Sequence, residues 1–101
     1  MKSEKILQNY LQHECFLYGL LFYKFSSPAR RGVPDVLIIN PKGRVVFVEL
    51  KSPSGRGKIH PLQQYEINKL RAAGVSAYIL YTQEEVDNLI ESLKKIGRAH
   101  V

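Results

Sequence analysis

The chain has 101 residues, 45% of them hydrophobic and 24% charged, which is the ordinary composition of one globular domain. One cysteine, Cys15, excludes an intramolecular disulfide, and no run approaches the ~18 apolar residues of a membrane span. The formal net charge of +6, from 15 basic and 9 acidic side chains, favours polyanionic partners through counterion release.

The residues Met1-Lys2-Ser3-Glu4-Lys5 lead into a polar-interrupted pattern, not an apolar signal core, so a reduced, intracellular setting is expected. From about Lys5 to Tyr18, residues Ile6, Leu7, Tyr10, Leu11, Glu14 and Leu17 recur at helical spacing, with Ser3 placed to cap the start and Gly19 to stop the helix. Cys15 falls within this pattern and reads as a core residue. Leu20 to Phe25 is rich in aromatic and branched residues and predicts a strand, followed by a loop from Ser26 to Gly32.

Asp35 to Ile39 predicts a second strand and Arg44 to Lys51 a third, joined by the turn Asn40-Pro41-Lys42-Gly43. Their near-continuous apolar runs point to a hairpin buried on both faces. Ser52 to His60 reads as an exposed basic loop. Pro61 opens a second helix to about Ala73, with Leu62, Tyr65, Ile67 and Leu70 as packing positions, and Gly74 ends it. Ala77 to Tyr81 is a fourth strand. Thr82 caps a last helix to Ile96, and Gly97 to Val101 reads as a polar, mobile tail. The order α-β-β-β-α-β-α, with no repeat or linker, gives a single α/β domain, a mixed sheet flanked by helices.

The chemistry concentrates between Gly32 and Gln63. Residues two apart in a strand share a face, so Glu49 and Lys51 project together while Leu50 faces the core. Asp35 begins the preceding antiparallel strand, and the hairpin brings it to the same end. Two carboxylates at one point can hold Mg²⁺ through oxygen ligands, with the Leu50 backbone carbonyl as a further ligand. Such a metal polarises a phosphate and lowers the pKa of a bound water, while Lys51 stabilises developing charge or orients the water. A lone Glu-x-Lys at a strand end is usually a structural ion pair of small consequence. Gly32-Val33-Pro34-Asp35, one hairpin earlier, changes that reading.

Arg31-Gly32-Val33-Pro34-Asp35, Phe47-Val48-Glu49-Leu50-Lys51 and Pro61-Leu62-Gln63 together resemble the VRR-NUC nucleases, a branch of the PD-(D/E)XK superfamily with a restriction-endonuclease-like fold. Tyr23-Lys24-Phe25-Ser26-Ser27-Pro28 also resembles that family's lead-in to the Gly-x-Pro-Asp motif. The resemblance implies that Asp35 and Glu49 bind metal, that Lys51 is the catalytic lysine, and that Gln63 positions the lysine or a phosphate. It also implies an acidic residue on the first helix. Glu4 fits that position and Glu14 is its rival, while Gln8 stands where some relatives carry a second Glu.

Arg30 and Arg31 flank the glycine and are candidates for phosphate contact, as is the Gly32 backbone; Arg56 and Lys58 are similar candidates on the second loop. Pro34 fixes the chain entering the Asp35 strand. His60 reads as a capping or surface residue, and the six tyrosines as core or interface residues.

The resulting expectation is a DNA endonuclease using Mg²⁺ or Mn²⁺. The resemblance implies more: free-standing members of that family come from phages and bacteria, so the cytoplasm of a bacterial or phage-infected cell is expected, and they can act on branched DNA such as Holliday junctions, which implies a homodimer with paired active sites. The alternatives are a nucleic-acid-binding module without chemistry, or a nuclease subunit of a larger repair or restriction complex. The presence of Asp35, Glu49, Lys51 and Gln63 counts against the first of these.

Overall fold

A computed structural model describes residues 4–52 and 58–98, with side chains described as far as residue 94. The elements are α1 (Glu4–Leu17), β1 (Leu21–Lys24), β2 (Val36–Ile39), β3 (Val45–Leu50), α2 (Pro61–Ala72), β4 (Ser76–Leu80) and α3 (Gln83–Arg98). Their order is the expected one, and α/β with a mixed sheet is the observed class. The last helix continues through Gly97 and Arg98, where a tail was expected. Ser3, Arg56 and residues 99–101 lie outside the described residues.

The four strands lie side by side in chain order. β1 to β3 form an antiparallel meander, and β4 joins β3 in parallel. A parallel neighbour cannot be reached by a tight turn, and α2 supplies the crossover. The turn before β3 is held by Asn40, whose buried Oδ1 accepts the backbone N–H groups of Lys42 and Arg44. Its Nδ2 donates to the Leu93 carbonyl of α3, tying the hairpin to the last helix.

The period-two alternation sorts the sheet into two faces. Val36, Ile38, Val46, Val48, Leu50 and Leu80 turn to one side and pack with Leu7, Leu11 and Cys15 of α1 and Val86, Leu89, Ile90 and Leu93 of α3. Each fully buried aliphatic side chain contributes about 1.5–3 kcal/mol, so this layer is the main stabilising core. Cys15 is buried in it, and desolvation pushes its thiol up to about 12, so it is an inert core group.

The opposite face carries Leu37, Phe47 and Glu49, and α2 lies against it with Ile67 fully buried. The strands there are half-buried at Leu37, Ile39 and Phe47, so the hairpin is not sealed on both faces. The expected packing face of α2 is also corrected. Leu62 and Tyr65 are exposed, and Glu66 is buried beside Ile67. The helix turns a partly polar side inwards because Gln63 and Glu66 find charged partners there. On α1, Ile6 and Leu17 are exposed, because its buried stripe runs through Leu7, Leu11 and Cys15 at four-residue steps.

Candidate active site

The end of β3, the start of β2 and the first turns of α1 and α2 meet at one end of the sheet. Glu49 is the penultimate residue of β3, and Lys51 follows the strand with its N–H donating to the Leu80 carbonyl. That bond keeps the chain extended past the strand end, so Glu49 and Lys51 remain on one side. Lys51 Nζ lies 3.6 Å from Glu49 Oε2, and both residues are more than nine-tenths buried. Leu50 between them points into the core, as expected.

Gln63 sits in the first turn of α2, and both ends of its amide are used. Oε1 accepts the His60 backbone N–H at 2.9 Å, and Nε2 donates to Glu49 Oε2 at 3.0 Å. His60 is the N-cap residue of α2. The amide was expected against Lys51 or a phosphate, but it rests on the carboxylate. The amide group, as a donor, is matched to a carboxylate and not to an ammonium, which has no lone pair to accept with.

Burial pushes the Glu49 carboxyl up to about 6, Lys51 acts in the opposite direction, and the negative charges of Asp35 and Glu4 push it further up. Asp35 and Glu4 therefore share an electrostatic neighbourhood with Glu49. Of the two first-helix acids, Glu4 is the one whose charge acts on Glu49. The charge of Glu14 acts on Tyr10 and Cys15 instead. Among the described residues, no group of three or more His, Cys, Asp or Glu side chains is placed to hold a metal ion. Mg²⁺ is commonly held by one or two carboxylates plus waters and substrate phosphate, so Asp35 and Glu49 fit such an ion without a cage.

The loop before β2 is fastened to α2. Gly32 has φ +85°, and a Cβ there would lie 2.6 Å from the Leu62 carbonyl oxygen, so only glycine lets the loop approach the helix this closely. Arg30 Nη2 meets Glu66 Oε2 at 2.6 Å, and its Nε donates to the same carboxylate at 3.1 Å. The Arg30 guanidinium, expected to touch phosphate, is thus engaged with Glu66 and holds that carboxyl below the usual range. Arg31 remains exposed beside an open groove lined with Gly32, His60, Pro61, Leu62 and Gln63. Lys58 is exposed, and Arg56 lies outside the described residues.

One residue at the site was given no role from the sequence. Lys24, ending β1, places Nζ 3.2 Å from Asp35 Oδ2 and 3.1 Å from Gln8 Oε1. The available signal was positional: a lysine ends this aromatic-rich strand much as Lys51 follows β3.

The model of the VRR-NUC domain family matches residues 5–84. A protein named "Putative nuclease p44", from Acyrthosiphon pisum secondary endosymbiont phage 1, is 40% identical over 81 residues, covering 80% of this chain and 85% of its own length. A solved structure titled "VRR_NUC domain" superposes with a TM-score of 0.79 at 33% identity, over 90% of this chain and 97% of that one.

Proposed function

The chain belongs to the VRR-NUC domain family, and on that premise we propose that it is a Mg²⁺- or Mn²⁺-dependent DNA endonuclease selective for branched DNA such as Holliday junctions. The observation that carries this reading is the buried cluster at the end of β3. There one carboxylate oxygen, Glu49 Oε2, faces both the Lys51 ammonium and the Gln63 amide, with Asp35 and Glu4 contributing charge. A solvated surface ion pair needs neither that burial nor a dedicated amide donor.

Asp35 and Glu49 are the proposed metal ligands, with the Leu50 carbonyl and Glu4 as further donors. A divalent ion held there supplies Lewis-acid polarisation of the scissile phosphate and acidifies a water. Lys51 stabilises the negative charge that develops on the phosphoryl oxygens, or orients the attacking water. Gln63 fixes the Glu49 carboxylate, so its orientation is set before the ion arrives. Arg31, Lys58, Arg56 and the Gly32 backbone are the proposed contacts to DNA phosphates, with Arg30 acting through its clasp on Glu66.

The proposed homodimer uses the apolar surface at the end of α1 and along β1. Phe16 is 79% exposed, and Leu17, Tyr18, Leu21 and Tyr23 are exposed near it. β1 is an edge strand, so its outer side also offers unpaired backbone groups to a second copy. A twofold pair supplies the two active sites that symmetric cutting of a four-way junction needs.

The test is incubation of the purified protein with linear, flap and four-way-junction DNA in Mg²⁺, Mn²⁺ or EDTA, alongside sedimentation at micromolar concentration. Metal-dependent cutting, fastest on the junction, by a dimer is the expected result. Equal rates on junction and linear duplex would remove the structure selectivity. A monomer both free and on DNA would remove the dimer.

A further inference from the structure

Lys24 stands at the proposed metal site without a role in the chemistry described so far. Its ammonium bridges Asp35 Oδ2 at 3.2 Å and Gln8 Oε1 at 3.1 Å. Gln8 lies one helical turn after Glu4, so one face of α1 brings both residues towards the site. The Lys24 and Asp35 side chains are 46% and 47% exposed, and an ion pair this open contributes little to stability. The pair is therefore a poor explanation for a lysine placed beside a ligand carboxylate.

The local charge gives a better one. Glu4, Asp35 and Glu49 set three negative charges against the two positive charges of Lys24 and Lys51. The metal-free site thus carries one net negative charge. A divalent ion makes it one net positive charge, which matches a phosphodiester. That ion competes with the Lys24 ammonium for the Asp35 carboxylate. A phosphate oxygen held by an ion at Asp35 would come within reach of the flexible lysine side chain beside that carboxylate.

We infer that Lys24 is a second cationic residue of the reaction site: it pairs with Asp35 while the metal is absent and turns to the substrate phosphate once metal is bound. The inference rests on the nuclease reading, extending it to a lysine on the opposite side of the site from Lys51. Gln8, a neutral acceptor, holds the ammonium at the site without adding a charge that would trap it there.

The experiment uses the full chain as wild type, Lys24→Met and Lys24→Arg. Mn²⁺ affinity is measured by calorimetry without DNA, and single-turnover cleavage is measured at saturating Mn²⁺. Melting temperature serves as the check on folding. Lys24→Met is expected to bind Mn²⁺ about two- to fivefold more tightly, because a competing cation is gone. It is expected to cut about tenfold to a hundredfold more slowly, because a phosphate contact is gone. Lys24→Arg is expected to retain most of the cleavage rate.

Weaker Mn²⁺ binding by Lys24→Met would overturn the inference, since it would make the lysine a brace for Asp35. Unchanged metal affinity and cleavage would overturn it in favour of a passive surface pair. Tighter Mn²⁺ binding with wild-type cleavage would overturn the phosphate contact. A wild type that binds Mn²⁺ but cuts no DNA would instead overturn the nuclease reading, leaving the metal-competition result to be read by itself.

Discussion

Gln63 Nε2 donates to Glu49 Oε2 at 3.0 Å, the same oxygen that faces Lys51 Nζ at 3.6 Å. Two donors from different elements, α2 and the end of β3, thus converge on one carboxylate oxygen. Gln63→Leu removes one donor and leaves the proposed ligands in place. Single-turnover cleavage at saturating Mn²⁺ is expected to fall about tenfold, in line with the loss of a hydrogen bond to a charged group. Gln63→Glu is expected to fall further, because a like charge beside Glu49 raises its pKa. Wild-type cleavage by Gln63→Leu would reduce this residue to a helix cap.

Removing either proposed ligand gives a sharper outcome. Asp35→Ala and Glu49→Ala are each expected to abolish cleavage with the far-ultraviolet circular dichroism unchanged. DNA affinity in the absence of metal is expected to hold or rise, since a carboxylate near phosphates has been removed. Either variant retaining near-wild-type turnover would eliminate its residue as a ligand.

Lys51 and Glu49 are both buried, so deleting the lysine leaves a carboxylate without its ion partner. Lys51→Met preserves most of the side-chain volume, and the Glu49 pKa is expected to rise further instead of the fold being lost. Cleavage is expected to drop about a hundredfold or more, as for loss of a group that stabilises transition-state charge. A comparison of turnover with denaturant midpoint separates catalysis from packing: a normal rate with a lowered midpoint would make the pair purely structural.

The Glu49 carboxyl titrates at about 6, above its reference value of 4.5, so the folded protein holds this proton more tightly than the unfolded chain. Its contribution to stability is therefore present at acidic pH and lost as pH rises from 4.5 to about 6. Relative to Glu49→Gln, the metal-free wild type is expected to lose about 1–2 kcal/mol across that window by chemical denaturation. Metal affinity has the opposite sign, because the ion needs the ionised ligand. Mn²⁺ binding is expected to strengthen by up to about tenfold per pH unit below this pKa and to level off above it. A flat affinity between pH 5 and pH 7 would exclude Glu49 as the ligand whose protonation competes with the ion.

Gly32→Ala tests the seat between the loop and α2. The backbone there has φ +85°, and the added methyl would meet the Leu62 carbonyl at 2.6 Å. A loss of about 2–4 kcal/mol is expected from backbone strain and the forced displacement. Cleavage should fall even where the variant is fully folded, because the helix that must move also carries Gln63. Unchanged stability would show that the loop and helix separate easily.

The sequence by itself determined the element order and the placing of Glu49 and Lys51 on one side of the third strand. Alternation in the strands, helical spacing around Leu7, Leu11 and Cys15, and stop and cap residues such as Gly74 and Thr82 are local signals. They act between residues near in sequence, and the structure follows them to within a few residues at each boundary. Glu49 and Lys51 share a side because of the strand's own period, and the hairpin turn sets where β2 begins relative to them.

Only the tertiary structure decided which side chains meet from distant elements. The Gln63–Glu49 bond, the Arg30–Glu66 clasp and the Lys24 bridge from Asp35 to Gln8 join residues far apart in sequence. The inward face of α2 was misread for the same reason. Apolar spacing favoured Leu62 and Tyr65, but buried polar groups need partners, and Glu66 has its partner in Arg30. Local periodicity carries no information about which distant charge will arrive. The packing of α1 likewise brings the charge of Glu4 to bear on Glu49 and leaves that of Glu14 acting on Tyr10 and Cys15.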